Sequence, residues 1–467
     1  MLRTGTGVAV LAVIGSIAVT GSVSATPDRQ DRDSVANVDA ELETRAVFDD
    51  EAGGYADTDD PAIWVDRDHP RRSLVIVTEK EAGLVVFDRA GQVLQEIDAP
   101  APPSRGDAPG RLNNVDLVYD VPLGADEEPT DLAVVSDRGL DQIRIYAIDD
   151  DGAADGGAPL RDVTASDVPY VFSADQDEVN SEATAYGLAA WQDGDDAYAA
   201  VSRNNDTALA QVRLEPTDSG KVTYRVVDRV NLPSTFELPD GTMWSPCGDP
   251  GELPQVEGMV VDRDRDVLYA AQETVGIWRI PFDDNEFATP RMVDKVREYG
   301  VPATYDAPTD ECIIDDENDP GFGGEHIAGD AEGLTIYDSG HGKGYLLASS
   351  QGDDTFAVYK RRRSNSYVGS FHVADSAATD GVQETDGLDV TSADLGGRFD
   401  DGLLVVQDGH NTPEVTDGSG DERDNSNVKF VSWTAVARGL DLSRHHRCRH
   451  HRHDRHHRHH HFEEHAR

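Results

Sequence analysis

Residues 329–360 read GDAEGLTIYDSGHGKGYLLASSQGDDTFAVYK, and this stretch decides the fold. It contains three runs of β-branched, aromatic and aliphatic residues, at 334–337, 345–350 and 356–359, separated by turns rich in Gly and Asp. Three strands joined by two tight turns within about thirty residues make up most of one blade of a β-propeller. Asp330 and Glu332 stand at the entrance of the first strand, where a blade directs side chains toward the central channel.

The same pattern recurs along the chain at blade-sized intervals. Polar or acidic residues precede an apolar run in six places, and a second strand that ends in polar residues follows each of them. Six copies predict an all-β fold, a six-bladed β-propeller with four-stranded antiparallel blades, over residues 44–440. The six strand entrances are Asp59-Asp60-Pro61-Ala62-Ile63-Trp64, Asn113-Asn114-Val115-Asp116-Leu117, Tyr186-Gly187-Leu188, Glu257-Gly258-Met259, Glu332-Gly333-Leu334 and Asp386-Gly387-Leu388.

The charge balance restricts the partners. The chain has 90 acidic and 41 basic residues, which gives a formal net charge of −49. Such a field repels polyanions, so neither nucleic acid nor an anionic membrane is an expected partner. The acidity is typical of a solvated surface adapted to high salt, because molar salt shortens the Debye length to about 3 Å. An anionic substrate is compatible with this charge if cations accompany it.

The two ends of the chain differ from the predicted propeller. Residues 1–25 have the basic start, apolar run and small-residue cleavage site of a secretory signal peptide, with a retained membrane anchor as the alternative. Residues 26–43 are predicted to be a disordered lead-in. Residues 441–467 form a His- and Arg-rich disordered tail, which either binds transition metals or has no role. We expect a secreted monomer with no stable membrane association once the signal is removed.

Two of the three cysteines lie in segments that look like insertions between blade repeats. Cys247 falls in residues 242–254 and Cys312 in residues 302–327. In an exported protein a disulfide bond between them is plausible, and two unpaired thiols are the alternative.

Carboxylates stand at the starts of the repeated strands, so a propeller would bring several of them to one end of its channel. Convergent carboxylates repel one another unless cations lie among them, and calcium is well suited to a site made of oxygen ligands. For any single Asp the alternative is a turn or strand cap. The residues are Asp59, Asp60, Asp116, Glu257, Asp330, Glu332, Asp380, Asp386 and Asp389.

Three bases follow the second strands of the first three repeats. They are Lys80, Arg138 and Arg203, and Lys80 is one of only six lysines in the chain. Bases beside a calcium cluster are typical of a phosphate site, because the metal neutralises the oxygens and Arg binds them as a fork. Salt bridges to neighbouring acids are the alternative for each base.

These motifs resemble the β-propeller phytases, which are alkaline, calcium-dependent enzymes. The resemblance covers roughly residues 58–436, and its long motifs are specific to that family among propellers. They are the strand entrances at 59–64, 112–116, 257–259 and 330–337, the second strand at 342–352, and Thr385-Asp386-Gly387-Leu388-Asp389-Val390.

The resemblance also implies roles for individual residues. Lys80, Arg138 and Tyr186 would line the phosphate cleavage site, Asp60 and the Val115 carbonyl would hold one structural calcium ion, and Asp380 and Asp408 would hold another. The residues expected to act in catalysis are Lys80, Arg138, Tyr186, Arg203, Glu257 and Glu273. The residues expected to bind calcium are Asp59, Asp60, Val115, Glu257, Asp330, Glu332, Gln351, Asp380, Asp386 and Asp408.

The chain also departs from the family pattern. Glu81 stands where the family often has a second lysine, and Arg203 stands where lysine and glutamate are usual. Both changes concern the pocket for a neighbouring phosphate more than the cleavage site. His410 stands where a structural calcium site tends to have an acid.

The resemblance implies a secreted phytase that hydrolyses phosphate monoesters of calcium-complexed phytate with a calcium-activated water and no covalent enzyme intermediate. One alternative is a calcium-dependent lactonase or phosphotriesterase on a similar propeller, and Lys80 together with Arg138 argues against it. The other is a non-catalytic calcium-binding propeller, and the presence of the central carboxylates argues against that one.

Overall fold

The computed structural model describes residues 35–442 except 53, 125–127, 150–156 and 310, so the predicted signal peptide and almost all of the His- and Arg-rich tail lie outside it. Six small antiparallel sheets form the predicted six-bladed propeller, which confirms the fold. The first strands of successive blades contact one another in order, and the first strand of blade six contacts that of blade one. These six strands therefore surround the central channel.

The second strand of each blade is buried on both faces, because the neighbouring blades pack against it from either side. Its sequence is accordingly an apolar run, as in Leu74–Thr78, which is buried at every position. From the channel outward, blade one has Pro61–Trp64, Leu74–Thr78, Leu84–Asp88 and Val93–Ile97, blade two has Leu112–Val121, Thr130–Asp137, Gln142–Ile148 and Leu160–Asp162, and blade three has Ala185–Asp193, Asp196–Arg203, Ala208–Pro216 and Val222–Asn231. Blade four has Val256–Asp262, Val267–Gln272, Gly276–Asp283 and Arg291–Lys295, blade five has Ala331–Gly340, Lys343–Ser350, Thr355–Lys360 and Tyr367–Ala374, and blade six has Leu388–Thr391, Leu403–Asp408, Asn425–Ser432 and Leu42–Glu43.

The N-terminal part of the described chain closes the ring, and here the structure corrects a prediction. Leu42–Glu43 pairs with Asn425–Ser432 as the fourth strand of blade six, and Ala36–Asp39 adds in parallel to the outer strand of blade five. Residues 36–43 were expected within a disordered lead-in. They are ordered because they satisfy backbone groups that the outer edges of two blades would otherwise leave unpaired.

Glycines of the repeated motif set the close approach of the innermost strands. A Cβ atom added to Gly187 would lie 2.0 Å from the carbonyl oxygen of Glu257, and one added to Gly258 would lie 2.1 Å from that of Glu332. Any side chain at these positions would push neighbouring blades apart, which explains why the Gly follows the acidic or aromatic residue in the motif. The apolar cores lie between adjacent blades, as where Ile63 and Val77 pack near Leu403 and Phe430.

The two cysteine-bearing segments are joined. Cys247 and Cys312 form a disulfide bond, with Cα atoms 6.0 Å apart, so the bridged alternative is the one in the structure. Among the described helices, none has the length and apolarity that crossing a membrane requires. Outside the blades, the described strands, which include three short hairpins, are Val47–Phe48, Phe236–Glu237, Met243–Trp244, Glu286–Phe287, Ala303–Asp306, Glu311–Ile314, Val415–Thr416 and Glu422–Arg423. The described helices are Gln176–Val179 and Trp433–Gly439, with 3₁₀ turns at Pro70–Arg72, Asp316–Asn318, Gln351–Asp353 and Gly397–Phe399.

Candidate active site

Three glutamates meet at one end of the channel. Oxygen atoms of Glu257, Glu273 and Glu332 all lie within 4.8 Å of one another. Glu257 and Glu332 stand immediately before the close-approach glycines of blades four and five, and Glu273 follows the second strand of blade four. The propeller therefore brings together three carboxylates that are spread over 75 positions of the sequence, from Glu257 to Glu332.

Side chains from the second and third blades fix the position of Glu257. The hydroxyl of Tyr186 donates to Glu257 Oε2 at 2.6 Å, and Asn113 Nδ2 donates to Glu257 Oε1 at 2.8 Å. The guanidinium of Arg138 lies over the Tyr186 ring, 5.2 Å from its centre. Tyr186 thus contacts Glu257 directly, and Arg138 is connected to it through the Tyr186 ring.

Lys80 lies among a second group of acids. Its Nζ atom is 3.4 Å from Asp57, 3.7 Å from Asp386 and 4.0 Å from Asp59. Burial alone would lower the pKa of Lys80, but these three carboxylates raise it above its usual value, so the side chain stays charged. Gln351 Nε2 donates to Asp386 Oδ1 at 2.8 Å, which joins blade five to the same group.

Burial and mutual repulsion raise the pKa of carboxyl groups in both groups of acids. Burial raises the pKa of Glu332 well above its usual value, and the charges of Glu273 and Glu257 raise it further. Burial likewise raises the pKa of Asp330 to about 6, with Glu298 and Glu257 adding to the effect, and the pKa of Asp386 to about 7.

Several oxygens of this region are buried without a hydrogen-bond partner. They are Asp59 Oδ1, Glu273 Oε1 and Glu332 Oε2. Buried carboxylate oxygens without donors are unfavourable, and oxygen-rich clusters of this kind are what calcium binds. The residues present therefore fit a bound calcium ion at the mouth of the channel.

Arg203 does not join this group in the structure. Its Nε atom donates to the carbonyl oxygen of Ala183 at 2.8 Å, and its Nη1 atom lies 3.4 Å from Asp206. In the described part of the chain, no carboxylate except that of Asp206 lies within 4.0 Å of its guanidinium. The predicted catalytic role of Arg203 receives no support from these contacts.

Asp60 and Val115 line a separate cavity farther along the channel. The cavity has a volume of about 40 Å³, and Asp116 and Asp389 also line it. The Val115 N–H donates to Asp60 Oδ2 at 3.1 Å. Asp116 accepts the N–H of Ala190 from blade three at 2.7 Å, so these acids also connect neighbouring inner strands.

At Asp380 and Asp408 the structure does not favour the predicted calcium ion. The side chain of Lys429 is fully buried, and its ammonium lies 2.8 Å from Glu43, 3.0 Å from Asp408 and in contact with Asp380. Asn411 Oδ1 lies 3.2 Å from the same nitrogen. These oxygens do not fit a calcium ion in this arrangement, because an ammonium already occupies the point where they converge.

Two contributors were missed from the sequence. Asp57 contacts Lys80, and its alternation with Asp59 along the chain was the available signal. Asn113 lies in the quoted motif but was given no role, although its buried amide donates to Glu257.

The structure combines a six-bladed propeller with a buried carboxylate cluster and two nearby bases. This combination is typical of propellers that bind a cation and act on phosphate groups. A family model described as Phytase matches residues 6–237 and 313–447. The 3-phytase of Bacillus subtilis (strain 168) is 32% identical over 406 residues, covering 86% of this chain and 85% of that protein. The chain belongs to the phytase family. The unmatched residues 238–312 contain Glu257, Glu273 and both bridged cysteines.

Solved structures give more distant likenesses. The WD40 repeats of RRP9 match with a TM-score of 0.40 and 9% identity over 85% of this chain and 99% of that chain. The Chaetomium thermophilum Sqt1, bound to the N-terminus of ribosomal protein L10, matches with a TM-score of 0.38 and 13% identity over 85% of this chain and 100% of that chain.

Proposed function

We propose that this protein is a calcium-dependent phytase that hydrolyses phosphate monoesters of phytate, taken as its calcium complex. One observation carries the proposal. Glu273 and Glu332, which keep unpartnered buried oxygens, lie beside Glu257, and Tyr186 connects Glu257 to Arg138. The guanidinium of Arg138 has no carboxylate within 4.0 Å among the described residues. A cation site and a free anion-binding base at one place favour a phosphate ester as substrate.

The residues of the chain have distinct tasks in this reaction. Arg138 and Lys80 hold oxygens of the phosphate, and their charge stabilises the negative charge that develops as water forms its bond to phosphorus and the ester oxygen leaves. Tyr186 fixes Glu257 and supports the plane of Arg138. The glutamates would hold calcium, whose chemistry there is neutralisation of phosphate charge and a lowered pKa of a bound water.

Three assays test the proposal: phosphate release from phytate, phosphate release from phenyl phosphate, and opening of a lactone. Each is run with calcium and again after a chelator has removed the metal. We expect calcium-dependent release from phytate and no lactone opening. Magnesium should substitute poorly, because it requires tight octahedral geometry and retains its waters. Full phytate turnover in excess chelator would refute the calcium dependence, and lactone opening without phosphate release would favour the lactonase alternative.

We also propose that the protein is exported. The pattern of residues 1–25 supports this, and so does the Cys247–Cys312 bond, since disulfides persist in oxidising compartments. Mass spectrometry of protein recovered from the medium tests it, with an expected mature N-terminus near Thr26. Recovery only from the cell, with Met1 retained, would contradict export.

A further inference from the structure

Two arginines lie side by side on the outer part of blade four. Arg279, on the third strand, is paired directly with Arg291, on the fourth strand, and on its other side with Tyr269, on the second strand. Residues directly opposite each other in antiparallel strands point to the same face of the sheet, so these three side chains form one row. Like charges in such a pair are destabilising, so the arrangement is unfavourable unless a negative charge lies close to both guanidinium groups.

The described part of the chain does not supply that charge. Among the described residues, no carboxylate oxygen lies within 4.0 Å of the guanidinium of Arg279 or Arg291, although the chain has 90 acidic and only 41 basic residues. The Nε atom of Arg279 is also buried and makes no hydrogen bond. Asp294, an acid on the same outer strand as Arg291, accepts a hydrogen bond from the hydroxyl of Tyr359 at 2.8 Å instead. A buried donor without a partner is unfavourable, so these contacts point to an anion that is not part of the chain.

A loop of blade five adds positive charge to the same face. Residues 361–366 connect the third and fourth strands of blade five, and Asn365 Nδ2 in this loop donates to the hydroxyl of Tyr269 at 3.0 Å. The loop therefore packs on the face that carries the two arginines. Arg362 and Arg363 in the loop are exposed, and within the described ranges neither has a carboxylate oxygen within 4.0 Å.

This flank, between the outer parts of blades four and five, is separate from the channel mouth. Arg265 Nη2 donates to the carbonyl oxygen of Arg361 at 2.9 Å, which ties the loop to the turn before the strand Val267–Gln272. Glu273, which belongs to the carboxylate cluster of the channel mouth, follows the other end of that strand. An anion on the flank is therefore distinct from a phosphate held at the channel mouth.

We propose that Arg279 and Arg291 bind a divalent tetrahedral oxyanion, sulfate or phosphate, on the flank between blades four and five. A guanidinium is suited to this because its planar fork binds oxygens of such an anion in pairs. Two positive charges at one place favour a divalent anion over chloride, and Arg362 and Arg363 add to the local positive potential. The inference is independent of the proposed phytase function.

Titration calorimetry of the full chain with sodium sulfate and with sodium phosphate tests the inference. A chelator is present throughout, and potassium chloride keeps the ionic strength constant. We expect Arg279→Ala and Arg291→Ala each to weaken binding of the oxyanion roughly ten- to a hundredfold. Arg161→Ala, which removes an exposed arginine from the outer strand of blade two, is the matched control and should leave the affinity unchanged.

The exposed Arg291 keeps the test decisive if the half-buried Arg279 is needed for folding. Wild-type protein that binds neither sulfate nor phosphate would overturn the inference, and so would unchanged affinity in Arg291→Ala. An equal loss in Arg291→Ala and Arg161→Ala would also overturn it, because the effect would then come from net charge. Binding that responds to Arg138→Ala and not to Arg291→Ala would place the anion at the channel mouth and overturn it as well. Tighter binding of one oxyanion, lost in Arg291→Ala, would support the site and identify its ligand.

Discussion

Replacing Lys429 by Met removes the positive charge at the point where Glu43, Asp380 and Asp408 converge. Lys429 is fully buried, and its ammonium makes ion pairs with all three carboxylates. Methionine has a similar length, so the change removes charge with little change in volume. Breaking a buried ion pair by removing one partner lowers the free energy of unfolding by about 3–5 kcal/mol, because the remaining charges stay buried and unpaired.

The loss should depend on pH. Burial raises the pKa of Asp408 to about 6 even with Lys429 beside it, and without the ammonium the pKa must rise further. A carboxyl group whose folded-state pKa is raised destabilises the fold above its unfolded pKa, and the penalty disappears as it is protonated. The contribution of Asp408 to the difference in stability between the variant and the wild type should therefore be largest near pH 8 and shrink as the pH falls toward about 6, where the group becomes protonated in both proteins.

Urea unfolding followed by tryptophan fluorescence, in the presence of a chelator, measures this free energy. Lys360→Met, which changes an exposed lysine, is the matched control and should stay within about 0.5 kcal/mol of wild type. Asp408→Asn combined with Lys429→Met should recover part of the loss, because it removes one of the unpaired charges. A Lys429→Met protein as stable as the wild type at pH 8 would refute the view that an ammonium, in place of calcium, stabilises this cluster.

Three further predictions concern the channel mouth and the disulfide. Arg138→Ala should lower phytate turnover by roughly two to three orders of magnitude, while circular dichroism shows an intact fold. Arg363→Ala, which changes an exposed arginine, is the control and should leave turnover unchanged. Full turnover in Arg138→Ala would show that the phosphate site lies elsewhere. Glu332→Gln should also reduce turnover through weaker calcium binding, so a calcium titration should restore part of it, and a loss that no calcium concentration changes would contradict this. Replacing both Cys247 and Cys312 by Ser should lower the free energy of unfolding by about 2–4 kcal/mol, since the bond closes a loop with a separation of 65 residues; an unchanged urea midpoint would contradict it.

The blades and the core of the site could be predicted because they depend on residues that recur. Each repeat needs a small residue where inner strands meet, and the structure gives the reason at Gly187 and Gly258, where no Cβ would fit. Once the repeats define the blades, the residues just before the motif glycines, such as Gly258 and Gly333, must lie at the same end of the channel. Glu257 and Glu332 could therefore be placed together without any knowledge of contacts.

Other features could not be predicted because they depend on partners far away in the chain. The strand Leu42–Glu43 is too short to have a recognisable pattern, and its partner Asn425–Ser432 lies at the other end of the propeller sequence. The direction in which a long side chain points also cannot be predicted from the sequence. In the register of its blade, Arg203 lies at the position of Asp137, one residue before that of Arg138, and its guanidinium lies near Asp206. Lys429 likewise reaches the acids that were assigned to calcium.

The same close approach that makes the fold predictable also explains why the site requires a cation. Because Gly187 and Gly258 lock the inner strands of successive blades together, the carboxylates beside them cannot separate to relieve their repulsion. Burial removes the alternative of screening by water, so Glu332 keeps an oxygen without a partner and a raised pKa. In blade six the chain relieves a similar repulsion with its own Lys429. At the channel mouth Lys80 neutralises only its own group of acids, so the remaining charge favours an external cation at the place where we propose that the phosphate binds.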